Sequence, residues 1–461
     1  MFVKHIKPNL NIEVLTHDLK THGLSKNIMC QILPNSFVWL PDAGTNDVEQ
    51  CKVLVDKGCK ILITDHHIIE KPNPYAVVIN NQRFEWINHD GSGACVTYKF
   101  IEYCCKKYNI NYDYSKHMDM VACANIGDVM SVKTYENRAF NHFGLNNITN
   151  PFLLRLCSEF VKGDNVTPMN ISWDIIPKIN AVIRSDNKEL KHKMFEAFVG
   201  EYDGAWGVLI KAMKDCHRKQ SDISKQIAEE AMEDGIMGKN SIICFVEPSN
   251  YNGLAANKVM SSCDKVTIMV HKSGNKYVGS LRSPVPIRDE LVKSRLFEFV
   301  SGHDSAAGLA FVDNNGENLN KIQHYLDKLD LSQCSEYKVI STIKPSELSE
   351  KLCNLSHNYK EIWDNDLPQP TVHCKIRCKG SDWVEMKGAT IKYVDGGVSC
   401  IKFFTSNKQK EALHIGEDKE YVYDIIAKPD WNIWNGNKYK QLLIEKIEVS
   451  GANEITFDDL W

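Results

Sequence analysis

The sequence predicts an α/β protein: two α/β domains joined by a long helix, followed by a small OB-like β-barrel. Three observations predict it. Apolar β-type runs alternate with helical stretches in residues 37–126 and again in 240–330, the pattern of layered α/β domains. Between them, Val208 to Met232 carries apolar residues at Ile210, Met213, Ile223, Ile227 and Ala231 with polar filling, as an exposed connector helix does. After Leu367-Pro368-Gln369-Pro370 the pattern turns to short strands separated by turns. The expected domains are residues 1–200, a connector at 201–238, a second α/β domain at 239–330, the barrel at 331–450 and an acidic tail at 451–461.

Composition sets the bounds. At 461 residues there is ample chain for several cores, and 43% apolar with 25% charged residues is ordinary globular usage. A net charge of −4 gives no global sign of a polyanion partner, so any nucleic-acid surface must be a local basic channel. No signal peptide or membrane-length apolar run accompanies the 16 cysteines, which predicts a cytoplasmic protein with free thiols. Cys104-Cys105 and Cys374/Cys378 lack the matched second pair of a zinc site.

In chain order, a short helix starts at Ser25, and Phe37-Val38-Trp39-Leu40-Pro41 is a strand that ends in Asp42-Ala43-Gly44. Asp47 to Lys57 reads as a helix, with Val48, Cys51, Leu54 and Val55 on one side and Gly58 as its stop. Ile61-Leu62-Ile63-Thr64 is the next strand and breaks off into Asp65-His66-His67. Strand, helix, strand makes parallel neighbours, and open α/β sheets carry their sites at the carboxyl ends of strands. Asp42 and Asp65-His66-His67 therefore meet at one rim, where carboxylates and imidazoles suit a transition metal. Ala76 to Asn80 is a third strand. Gly91-Ser92-Gly93 opens a helix through Cys105, and its backbone N–H groups suit an anion, although a plain helix start explains it as well. His117 to Ile126 is a helix followed by Gly127-Asp128, which on residues alone reads as a turn aspartate.

Residues 134–200 read as mostly helical, with Lys178, Asn180 and Arg184 set among apolar residues. The second α/β region has strands at Ile242 to Val246 and Val266 to Val270 around a helix from Leu254 to Ser261. A hairpin at Ser273-Gly274-Asn275 then leads into Gly279-Ser280-Leu281-Arg282-Ser283. Ser301-Gly302-His303-Asp304-Ser305-Ala306-Ala307-Gly308 reads as a turn joining a helix to the strand Leu309 to Val312. Arginine beside serines and a Gly-His turn suit phosphate, and a capped turn explains them equally. Residues 331–368 read as helical and mixed. The barrel strands are Thr371 to Arg377, Val384 to Met386, Ala389 to Tyr393, Val398 to Phe404 and Lys438 to Ile447. Trp431, Trp434 and Tyr439 flank the last hairpin and suit either base stacking or packing. The tail, Phe457 to Trp461, reads as a disordered terminus or a docking peptide.

Taken in order, these motifs resemble the DHH phosphoesterase superfamily and, within it, the RecJ single-strand exonucleases. Asp42-Ala43-Gly44 resembles the family's second motif, Asp65-His66-His67 its signature triplet, Gly91-Ser92-Gly93-Ala94 the glycine-rich helix start, and Gly127-Asp128-Val129 the aspartate motif after it. Asn180 and Arg184 match a later RecJ segment, and the Ser280–Arg282 and Gly302–His303 stretches match the two hallmarks of the DHH-associated domain. Asn432-Ile433-Trp434-Asn435-Gly436 resembles the last hairpin of the RecJ OB domain. The family also places a first motif, with histidine and paired aspartates, on a strand ahead of the stretch that Lys4-His5-Ile6-Lys7-Pro8-Asn9 resembles. Thr16-His17-Asp18 is a superficial substitute in the wrong setting.

The resemblance implies 5′-to-3′ hydrolysis of single-stranded DNA with two Mn2+ or Mg2+ ions, in repair, recombination or replication. It implies Asp42, His66 and Asp128 as metal ligands, and His67 and Asp65 as catalytic residues. Arg184, Ser280, Arg282, Gly302 and His303 would bind substrate phosphates, and Trp434 would bind the strand. It implies ligands for one ion only, hence impaired catalysis by the isolated chain unless an N-terminal fragment supplies the rest. The expected partners are single-stranded DNA and a single-strand-binding protein, with no membrane and a monomeric state. The alternatives are a non-catalytic DNA-binding relic and a phosphodiesterase for short oligonucleotides or cyclic dinucleotides.

Overall fold

The computed structural model describes residues 1–17, 23–162, 165–263, 265–313, 316–329, 339–360, 362–363, 367–387, 389–403, 405, 407–434 and 436–450. Asp18 of the Thr16-His17-Asp18 stretch, Asn435 of the last hairpin and the acidic tail lie outside them. The chain divides into two compact units, residues 1–128 with 146–336 and residues 129–145 with 337–461. Among the described residues no helix is long and apolar enough to cross a membrane.

The first unit opens with three parallel strands, β1 (Phe37–Pro41), β2 (Lys60–Asp65) and β3 (Val77–Asn80), in the order β1-β2-β3. The predicted parallel pairing holds in register, Phe37 opposite Lys60 through Pro41 opposite Thr64. β2 is central and buried at every position except Lys60, as an apolar run flanked on both edges must be. Its core is Cys51 and Leu54 of the helix Val48–Asp56 against Ile61 and Ile63. The helix Gly93–Tyr108 covers β2 and β1, capped by Ser92, whose Oγ accepts from the Cys95 N–H.

The helix Trp206–Glu233 runs for 28 residues, bracketing the predicted Val208–Met232. A six-stranded mixed sheet follows: β4 (Ile236–Met237), β5 (Ser241–Phe245), β6 (Val266–Ser273), β7 (Lys276–Arg282), β8 (Phe299–His303) and β9 (Ala306–Val312), ordered β4-β5-β6-β7-β9-β8. The Ser301–Gly308 stretch is thus not a helix-to-strand turn. It is a hairpin whose two strands pair His303 with Ala306, and Gly302 at φ +131° fits because a side chain there would meet the Ala306 carbonyl. At Gly279 a β-carbon would fall 2.0 Å from the Met269 carbonyl oxygen, so β7 and β6 approach closely only because that residue is glycine.

The second unit differs from the expected barrel. Its strands β10 (Val339–Thr342), β11 (Thr371–Lys379), β12 (Val384–Met386), β13 (Thr390–Asp395), β14 (Val398–Lys402), β15 (Glu420–Trp434) and β16 (Asn437–Ser450) form one sheet, ordered β10-β11-β15-β16-β14-β13-β12. Among the described residues its outer strands, β10 and β12, are not paired with each other, so no closed barrel is seen. β10 lies in a region read as helical, and β15 is a 15-residue strand absent from the predicted set. The core gathers Val372, Cys374, Ile376, Tyr423, Ile425 and Leu442.

Candidate metal and phosphate sites

The first site stands on the carboxyl ends of β1, β2 and β3. Asp42 follows β1 with φ +62°, and its N–H donates to the Thr64 carbonyl at 2.8 Å, one rung past the strand. A left-handed non-glycine residue at a strand end is the kind of local strain that marks functional sites. Asp65 ends β2 with its carboxylate only 1% exposed. It accepts from the His66 and His67 N–H groups at 2.8 and 3.3 Å, from the Thr45 N–H at 3.1 Å and pairs with His67 Nδ1 at 2.7 Å. Asn80, ending β3, donates to Thr45 Oγ1 and to the His67 carbonyl. The three strand ends are thereby cross-linked around Asp65.

His66 lies between two carboxylates. Its Nε2 lies 3.3 Å from Asp42 Oδ1 and 3.1 Å from Asp128 Oδ2. The ring is 11% exposed, against 56% and 42% for the two carboxylates, so the cluster has a buried base and an open front. Burial opposes charge on His66, but hydrogen bonds and attraction from Asp128 and Asp42 outweigh it and push the imidazole up to about 10. Burial works against ionisation of Asp65 too, yet His67 and Thr45 hold it well below the usual carboxylate range. The Asp65 contact raises His67.

The donor set fits a divalent cation. Two carboxylates and an imidazole converge on one point, and they stabilise positive charge there, here as the His66 proton. Donor atoms of Asp42, Asp65, His66 and His67 also lie within 4.8 Å of one another. Mixed carboxylate and imidazole donors suit a divalent transition-metal ion. Asp65 takes the part of a carboxylate that orients a histidine rather than one that faces substrate. A cleft of about 660 Å³ opens beside Asp42 and Asp128, lined by Trp39, Tyr98, Asn180 and Ile183 among others.

The second site is cationic. Arg282 ends β7 and Arg184 ends the helix Ile176–Arg184, on which Asn180 sits one turn earlier. Among the described residues neither arginine forms an ion pair with a carboxylate. Burial, then the neighbouring Arg184 charge, pulls Arg282 down to about 10, and burial lowers Arg184. Neighbouring guanidinium groups without a carboxylate partner among the described residues suit an anion. Ser280 and Arg282 share one face of β7, and Gly253 of the helix Asn252–Cys263 lies against both: a β-carbon there would sit 2.9 Å from Arg282 Nη2 and 3.4 Å from Ser280 Oγ. Arg282 and His303 each pair with Ala306, so they occupy one row across β7-β9-β8. His303 is exposed there, and the Gly302 carbonyl accepts from Arg288 at 2.7 Å.

Trp434 belongs to the other unit, at the tip of the β15–β16 hairpin, 68% exposed, with Tyr439 49% exposed nearby; Trp431 is in the core instead. Sequence reasoning missed Asn125, which lies buried in the helix Met118–Gly127 and accepts from both the Ser92 N–H and Oγ at 3.1 and 2.7 Å. A lone asparagine in an otherwise apolar helix face was its only signal.

No family model matches the chain. A protein of Bacillus subtilis (strain 168) with the provisional name SPbeta prophage-derived single-strand DNA-specific exonuclease YorK is 26% identical over 489 residues, 97% of this chain and 84% of that protein. The single-stranded-DNA-specific exonuclease RecJ of Thermus thermophilus is 24% identical over 289 residues, 58% of this chain and 40% of RecJ. The crystal structure of Thermus thermophilus RecJ in complex with Mn2+ superposes with a TM-score of 0.68 at 15% identity, over 90% of this chain and 62% of that one. The chain therefore spans less than two thirds of the RecJ structure whose fold it shares.

Proposed function

On the premise that the chain is a RecJ-like protein of the DHH superfamily, we propose that it is a metal-dependent exonuclease hydrolysing single-stranded DNA from the 5′ end. The observation that carries this reading is His66 Nε2 held 3.3 and 3.1 Å from Asp42 and Asp128 at the open end of a parallel sheet. Asp42, His66 and Asp128 would hold a Mn2+ or Mg2+ ion. Bound there, the ion would polarise a phosphodiester and lower the pKa of a bound water. Asp65 fixes the His67 ring through Nδ1, so that His67 can meet the scissile phosphate in one orientation. Arg282 and Arg184, without carboxylate partners among the described residues, bind phosphate oxygens, with Ser280, Gly302 and His303 on the sheet that carries Arg282. Trp434 stacks on a base, which makes the hold independent of sequence.

The described residues gather the donors of one ion, while in-line displacement at a two-metal site uses two. The isolated chain is therefore expected to be slow, and to be stimulated by a separate fragment that carries the family's first motif. The domain limits proposed are those predicted, with the phosphate face in residues 239–330 and the strand-holding sheet in 331–450.

The test is degradation of 5′- and 3′-labelled single strands by the purified chain in Mn2+, with and without that fragment. Release of 5′-terminal mononucleotides that stops in chelator is the expected result. Cleavage unaffected by chelator, or restricted to dinucleotides, contradicts the proposal.

A further inference from the structure

The two carboxylates that flank His66 come from separate elements, and a short buried path joins them. At one end, Asp42 lies against Gly93, the first residue of the helix Gly93–Tyr108. A β-carbon on Gly93 would fall 2.4 Å from Asp42 Oδ1, 2.6 Å from its Cα and 2.7 Å from its Cβ. The encroachment involves the backbone of Asp42, not only a mobile side-chain tip. Gly93 itself has no left-handed φ, so nothing in its own backbone demands glycine. Space for Asp42 is what demands it.

At the other end, Ser92 donates both N–H and Oγ–H to Asn125 Oδ1, at 3.1 and 2.7 Å, with Ser92 3% and Asn125 2% exposed. Asn125 precedes Asp128 by less than one helical turn, and the Asp128 N–H still donates to the Ala124 carbonyl at 2.9 Å. The path runs Asp42, Gly93, Ser92, Asn125, Asp128.

We propose that Gly93 and the Ser92–Asn125 clasp are positioning residues that set the distance between Asp42 and Asp128, and so the affinity of the cation site they share with His66. This rests on the metal reading above. Residues that orient ligands without touching the ion commonly alter metal affinity by about 10- to 100-fold.

The test separates positioning from stability. In a helix, alanine is intrinsically better than glycine, so a merely structural role for Gly93 predicts that Gly93→Ala binds Mn2+ as the wild type does. The proposal predicts at least a tenfold loss of Mn2+ affinity in Gly93→Ala, and a smaller loss in Ser92→Ala, measured by calorimetry on full-length protein. Leu54→Ala, in the core beneath the sheet, serves as a control for destabilisation and should keep wild-type affinity. Unchanged affinity in Gly93→Ala, or an equal loss in Leu54→Ala, overturns the proposal. A crystal structure of metal-free Gly93→Ala gives a readout that needs no metal: Asp42 should move relative to His66, and an unmoved Asp42 overturns the proposal. If the wild type binds no Mn2+, the metal reading fails, and this structure still decides the positioning role.

Discussion

The two sheets of the first unit bring ionisable groups to their edges with opposite outcomes. On the three-stranded sheet, Asp42 and Asp128 surround His66, and the charges compensate so well that the imidazole rises to about 10. On the six-stranded sheet, burial first and then the nearby Arg184 charge lower Arg282 to about 10. Among the described residues these two like charges have no carboxylate partner, so the fold and not their mutual interaction holds them in place. Under the proposed function the first of these clusters would take a cation and the second an anion.

That contrast can be broken at several points. The largest effect should come from Asp42→Asn or Asp128→Asn: either removes a charge that holds the cation, and hydrolysis should fall about a thousandfold, the scale of several kcal/mol of transition-state stabilisation. Near-normal rates in both variants would sink the cation assignment. Arg282→Ala should weaken binding of a 5′-phosphorylated strand by about 10- to 100-fold, the range of a lost charge-assisted hydrogen bond, while leaving Mn2+ affinity intact. A drop in Mn2+ affinity instead would mean that the two sheets do not act separately. Trp434→Ala is expected to cost about 1 kcal/mol in strand affinity, at the low end for a stacked base and with little sequence preference; filter binding to homopolymers would show it.

A pH series sharpens the same comparison from the side of stability. In chelator, His66 is raised above its ordinary 6.5, so its stabilising contribution is complete below 6.5 and is lost as pH climbs toward about 10. The melting temperature of the metal-free chain should therefore fall between pH 7 and pH 10 more steeply than that of His66→Gln. Parallel curves would show that the Asp42–His66–Asp128 contacts do not persist in solution.

How much of this was legible depended on how local each determinant was. The carboxyl-terminal rim could be read because β1 and β2 are continuous apolar runs that end in Asp42 and in Asp65-His66-His67. Parallel pairing then fixes where those ends go. The Trp206–Glu233 helix was legible for a similar reason, being a long run of one period. β15 was not, since Asp424, Lys428, Pro429 and Asp430 interrupt its alternation and proline argues against a central strand. The structure accommodates Pro429 because β11 pairs with β15 only as far as Ala427, so no β11 ladder hydrogen bond is asked of its missing N–H. Asp128 was ambiguous on its own residues and was singled out only through the family resemblance; the structure places its carboxylate 3.1 Å from His66. Gly93 was read only as part of a helix start, and neither its approach to Asp42 nor the Asn125 contact could be found, because they join residues 51 and 33 positions apart in sequence.

The most direct test of the central claim is Mn2+ stoichiometry by calorimetry on the chain, repeated with Asp42→Ala. One tight ion, lost in Asp42→Ala, is the result expected of a cluster built from Asp42, His66 and Asp128. Two tight ions, none, or one that survives the substitution would contradict it.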